Sequence, residues 1–287
     1  MTSSAGNIRP VLDHVVVNVR SQLDDAVAQF NRLGFQLTER GHHSLGSSNH
    51  LAVFREGYLE LLGFMPGNEG KRPDLMAHPA GLTGLAFKAE DPARVYATMQ
   101  ARGVPVKEPM SFQRPVTAPD GSTAQARFTV IVMPPEVVAN GRTFFCHHHT
   151  PELVWRREWQ THRNGAVGVA EFVIASNEPA RTAALYEAMF GPGLTTPVSG
   201  GLSFKAAAMT VLILRPDAVA ERYCGAALVS PDGSDRMVAL GIAVTSLAAP
   251  RAVLDGEGIP YASLPSGGIV VPHADAGNVA LAFVERG

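Results

Sequence analysis

The sequence predicts an α+β protein in which four βαβββ modules pair into two cup-like domains of mixed sheet. Three observations carry this. A strand-like apolar run followed by a helical stripe recurs near positions 12, 82, 169 and 238. Each stripe closes on glycine, and the runs after it are short and separated by turn residues. The chain has 287 residues, about twice what one hydrophobic core usually holds, with a polar break near its middle.

In the first module, residues 11–19 are rich in β-branched side chains and read as a strand. Leu23, Ala26, Phe30 and Leu33 then fall three or four apart, as on one helix face, and Gly34 supplies the left-handed stop. Residues 35–37 read as a second strand, and 49–54 and 58–64 as two more, joined through Glu56-Gly57. The second module offers strand 82–89, helix 93–101 and a stop at Gly103. Strands 106–112, 125–133 and 142–150 follow, with Pro119-Asp120-Gly121 as a turn. The third has strand 167–175, helix 179–190, the breaker Gly191-Pro192-Gly193 and strand 210–214; the fourth has strand 238–244, helix 248–254 and strands 269–271 and 279–284. The polar stretch 156–164 around Trp159 reads as a linker, with a boundary near 162 dividing a domain at 9–160 from one at 165–287. Strands joined by short turns run antiparallel, which excludes a doubly wound parallel sheet. One module exposes an apolar sheet face, so two must pair to bury it or to enclose a cavity.

Composition narrows the function. A net charge of -2, with Lys and Arg scattered, gives no field for a phosphate backbone, so no nucleic-acid partner is expected. The apolar runs stop well short of a membrane span, and MTSSAGNIRP has no secretory pattern. The 2 cysteines are too few for a disulfide framework, and a cytoplasmic location is expected. G-x-S-x-G, P-loop, G-x-G-x-x-G and H-E-x-x-H motifs are all missing, which removes the usual support for hydrolase, NTPase and Rossmann readings.

Candidate site residues come from strand alternation. His14 is expected to share a face with Leu12, Val16 and Asn18, with Asp13 pointing away; Glu60 shares its face with Tyr58 and Leu62. A histidine and a glutamate inside apolar strands need partners, either each other or a shared metal ion. In Phe144-Phe145-Cys146-His147-His148-His149, alternation turns His148 inward with Phe144 and Cys146, and His147 and His149 outward. Asn49 and His50 follow a polar loop at 44–48 and are placed on the cavity rim as ligand contacts, along with Tyr58. Glu171 occupies the His14 position of the third module, where a structural pairing is expected.

The segments Leu12-Asp13-His14-Val15-Val16, His43 to His50, Tyr58-Leu59-Glu60-Leu61-Leu62 and Phe144 to Trp155 resemble the glyoxalase-like branch of the vicinal oxygen chelate superfamily. The resemblance covers residues 10–159 and is mostly architectural beyond them. It implies the glyoxalase/bleomycin resistance/extradiol dioxygenase fold, with a divalent metal held by the first and fourth strands of paired modules. Carried over, His14, Glu60 and His148 would be the ligands, and Gly84 stands where a fourth ligand belongs. A ligand carboxylate that detaches can take a proton, which makes Glu60 the candidate base. Such a set suits iron(II), and zinc, manganese or nickel could occupy it. The expected activity is lyase, isomerase or dioxygenase chemistry on a small oxygenated molecule. A metal-free binding protein of the same fold is the alternative, with Gly84 as its sign of decay. The second domain is expected to be degenerate.

Overall fold

The structure is a computed structural model describing residues 8–117 and 121–286. Two sheets of eight strands follow one another along the chain. The first contains β1 (Leu12–Arg20), β2 (Gly41–His42), β3 (Ser48–Val53), β4 (Tyr58–Gly63), β5 (Gly81–Lys88), β6 (Met110–Thr117), β7 (Thr123–Val132) and β8 (Arg142–His148). Their order is β2-β3-β4-β1-β5-β8-β7-β6. The pairs β1/β4 and β5/β8 are parallel and β1/β5 is antiparallel, so two four-stranded modules meet across a central pair. The second sheet repeats this order with β9 (Ala166–Ala175), β10 (Thr196–Val198), β11 (Gly201–Ala206), β12 (Met209–Leu214), β13 (Arg236–Val244), β14 (Ala262–Ser263), β15 (Ile269–Val271) and β16 (Ala280–Glu285). This is the α+β, cup-like arrangement expected from the repeat.

The helices are α1 (Leu23–Arg32), α2 (Pro73–Ala77), α3 (Pro92–Ala101), α4 (Pro179–Phe190), α5 (Pro216–Arg222) and α6 (Ala248–Glu257). The four expected helices are all present, whereas α2 and α5 are one- to two-turn segments too short to show a periodic stripe. Residues 35–37 form no strand: Phe35 is drawn into the core, and the edge strand comes later as the two-residue β2. In the expected turn at Pro119-Asp120-Gly121, Pro119 and Asp120 lie outside the described residues.

The largest core is shared between the halves. Phe87 on β5 meets Phe190 of α4 edge-on at 4.9 Å, and Phe35 stacks on Phe283 of β16 at 6.2 Å. Each half therefore presents its helical side to the other, and two smaller clusters fill the concave faces. In the second cup, Val219 in the middle of α5 and Tyr223 just beyond its end are fully buried on that face, and Glu171 accepts hydrogen bonds from Arg222 (2.6 Å) and the Tyr223 hydroxyl (2.9 Å). No described helix is long and apolar enough to cross a membrane.

Candidate metal and substrate site

The concave face of the first sheet encloses a cavity of about 440 Å³. Strand alternation brings Tyr58, Glu60 and Leu62 of β4, Asn49 and Leu51 of β3, and Phe144 and Cys146 of β8 to its wall.

The alternation breaks beside His14, and the break matters. Between β1 and β5 the register runs from Leu12 opposite Phe87 to His14 opposite Ala86, so two residues of β1 face one of β5. This is a β-bulge, and Asp13 is its extra residue. The bulge turns Leu12 to the opposite face, into the core with Val15 and Val17, and lets Asp13 and His14 converge. The expectation that Asp13 points away and Leu12 shares the His14 face is corrected here, because strict alternation does not survive a bulge.

His14 Nδ1 donates to Asp13 Oδ1 at 2.6 Å, and His148 Nε2 donates to the same oxygen at 3.0 Å. The other ring nitrogen of His14, Nε2, lies 3.7 Å from Glu60 Oε2. Tyr58 stacks on the His14 imidazole at 4.5 Å and 8°, which fixes its plane. His148 is packed among Tyr58, Phe128 and Trp155, and its buried Nδ1 has no hydrogen-bond partner among the described residues. Burial alone would raise the Asp13 carboxyl, but His148 beside it and the hydrogen bonds from both imidazoles hold it far below the usual carboxylate range. Burial likewise opposes ionisation of Glu60, and His14, His43 and a 2.6 Å hydrogen bond from Asn49 Nδ2 overcome it.

The sequence-predicted donors His14, Glu60 and His148 are thus not drawn round one point. Glu60 faces Nε2 of His14, while Asp13, with His148 behind it, holds Nδ1. Register gives the reason. Gly84 pairs with Arg142 as His14 pairs with Tyr58, and two residues on, Ala86 pairs with Phe144 as Val16 pairs with Glu60. The counterpart of Glu60 is therefore Phe144, and His148 lies further along β8. The group that does converge is Asp13, His14, Cys146 and His148, each placing a ligand atom within 4.8 Å of the others. Gly84 is a packing residue: a Cβ there would stand 2.6 Å from Val16 Cβ.

Asn49 lines the cavity; His50 does not. His50 Nδ1 donates to the Thr38 carbonyl at 2.8 Å and its Nε2 accepts from Arg40 at 3.2 Å, on the opposite face of β3. Adjacent residues of a strand cannot share a face, so the rim role expected for His50 falls away. His147 also turns outward, onto the Ala89 carbonyl at 2.7 Å. Beyond the expected residues, the wall holds His43, whose Nε2 accepts from Asn49 at 3.3 Å, and Arg114 on β6. Burial pushes the His43 pKa down to about 4, against the pull of Glu60. Arg114 lies beyond the expected strand 106–112 because the strand runs on to Thr117; the alternation Met110, Phe112, Arg114, Val116 is its signal in the sequence.

A family model described as a glyoxalase-like domain matches residues 12–190, more than half of the chain. The chain belongs to the glyoxalase-like family. Solved structures similar to this glyoxalase-like protein include a hypothetical protein from Staphylococcus aureus, 12% identical, TM-score 0.67, covering 96% of this chain and 99% of the other. A triple mutant of 4-hydroxymandelate synthase from Streptomyces coelicolor matches at 12% identity and TM-score 0.55, over 97% of this chain and 93% of that one. A xylose isomerase-like TIM barrel/4-hydroxyphenylpyruvate dioxygenase fusion protein matches at 12% identity and TM-score 0.53, over 98% of this chain and 49% of that one. At such identity the likeness is one of fold. No curated protein matches the chain.

Proposed function

We propose that this glyoxalase-like protein is an enzyme that uses a divalent metal ion to polarise a small oxygenated substrate, by lyase, isomerase or dioxygenase chemistry. The observation that carries the reading is the Asp13 carboxylate held between two imidazoles, one of which, His14, lines a substrate-sized cavity. Neighbouring ligand atoms bound at about 2.1 Å and at right angles stand roughly 3 Å apart. The 2.6 and 3.0 Å separations around Asp13 Oδ1 fit that spacing. Asp13, His14 and His148 would hold the ion, a set of two histidines and one carboxylate that suits iron(II) and admits zinc, manganese or nickel. Cys146 stands beside them with its thiol kept protonated by burial. When bound, such an ion supplies a Lewis acid for negative charge developing on a substrate oxygen. The dioxygenase name of one similar structure supports that arm by fold analogy only.

Glu60 is the proposed base. It is ionised and lines the cavity, and Asn49 fixes its Oε1. Tyr58 and Phe144 hold the His14 ring, and the apolar wall around them limits water. A second reading, a metal-free binding protein, is favoured by one feature: Asp13 already satisfies His14 and His148 through hydrogen bonds. Elemental analysis after chelation and reloading separates the two. About one ion per chain, lost in His14→Ala, is expected for the enzyme. No uptake by the wild type favours the binder.

A further inference from the structure

The protein carries a net charge of -2, yet its cavity is cationic: five Lys and Arg side chains line it, Arg114 and Arg142 among them, against the carboxylates of Glu60 and Asp74. Two of the five are already engaged, and Lys71 and Lys107 are exposed to solvent. Arg72 grips Asp74 through both carboxylate oxygens (2.8 and 2.6 Å), and Arg142 reaches the same group at 3.4 Å. Arg114 is different. It is 4% exposed and lines the cavity, and among the described residues it makes no hydrogen bond and no ion pair. A buried guanidinium with five donors and no acceptor is costly unless something else pairs with it. The surroundings make room for it. Arg114 lies opposite Ala126 across β6 and β7, and a Cβ on Gly41 would stand 2.9 Å from its guanidinium nitrogen and 2.5 Å from Asn49 Oδ1. That Asn49 oxygen is itself buried without a partner among the described residues.

We infer that the substrate of this cavity is a carboxylate with an apolar body, its head group paired to Arg114 and its body lying against Phe112, Phe128, Val130 and Phe144. A single unengaged guanidinium matches one carboxylate in both charge and fork geometry, which favours it over a doubly charged phosphate ester. The inference deepens the proposed function and rests on it for the word substrate, but the binding site stands on Arg114 alone.

The test is calorimetric titration of the full chain with butanoate, octanoate and 3-phenylpropanoate, each against its matching primary alcohol, and with 3-phenylpropyl phosphate. At least one acid is expected to bind at least about tenfold more tightly than its alcohol, the strength of a charge-assisted hydrogen bond. That preference should vanish in Arg114→Gln and survive in part in Arg114→Lys. Melting supplies an independent readout: Arg114→Met should raise the melting temperature of the free protein by removing an unpaired buried charge, while the preferred acid stabilises the wild type and not the variant. No preference for any acid, tighter binding of the phosphate ester, or a preference that persists in Arg114→Gln overturns the inference. Running the titrations on chelated and on metal-reloaded protein separates the two readings. An Arg114-dependent preference without metal uptake leaves the carboxylate site standing and sinks the metal enzyme. A preference that needs metal and ignores Arg114 does the reverse.

Discussion

Asp13 is the residue on which the site turns. One of its carboxylate oxygens, Oδ1, accepts from both His14 and His148, so Asp13→Asn leaves at best a neutral amide oxygen there and removes the charge that strengthens both bonds. A loss of about 2 kcal/mol is expected, read by denaturant unfolding, with metal uptake falling in parallel. Asp13 was visible in the sequence as a letter and hidden as a ligand, because one bulge reverses the side to which it points. His14 and Glu60 were legible since alternation holds at their own positions, and His50 was misplaced by the same rule applied one residue too loosely. His43 offers a pH test. Its pKa is lowered by burial to about 4 from the usual 6.5, so between these values the unfolded chain binds more protons than the folded one. Stability from this group is therefore full above pH 6.5 and is lost as pH falls toward 4. For a half-buried ring the loss comes to about 2 kcal/mol. Comparing wild type with His43→Gln at neutral and acidic pH should show the wild type losing that much more; parallel losses would refute the shift.

At the level of elements, the β1/β5 pair sets the geometry because the two modules meet there. Gly84 sits against Val16, and Gly84→Ala should cost about 1–3 kcal/mol through overpacking, measured by the shift in denaturation midpoint. A variant as stable as wild type would mean that this crossing is looser than the 2.6 Å approach implies. The helices α1, α3, α4 and α6 were legible from their stripes and glycine stops. The edge strand was not, because Phe35 is apolar for the sake of the core it enters with Phe54 and Phe283. A short apolar triplet reads the same whether it joins a sheet or plugs one.

For the molecule as a whole, fourfold repetition announced the two sheets, but nothing local could reveal that they share a core. Phe190 packs against both Phe87 and Phe145, and Tyr186 shares a hydrogen bond of 3.2 Å with Thr143 in the first sheet. The halves should therefore unfold together. Phe190→Ala is expected to lower stability by about 3–5 kcal/mol and to leave a single calorimetric transition; two separated transitions would show that the halves fold apart. The second cup is filled around Val219 and Tyr223, whereas the open cavity and the converging donors lie in the first. Anomalous diffraction from crystals loaded with manganese or zinc examines that centre most directly. A single strong peak bounded by Asp13, His14 and His148 is the result expected. Density confined to Glu60 and Nε2 of His14, or no peak in the cup at all, would contradict the assignment.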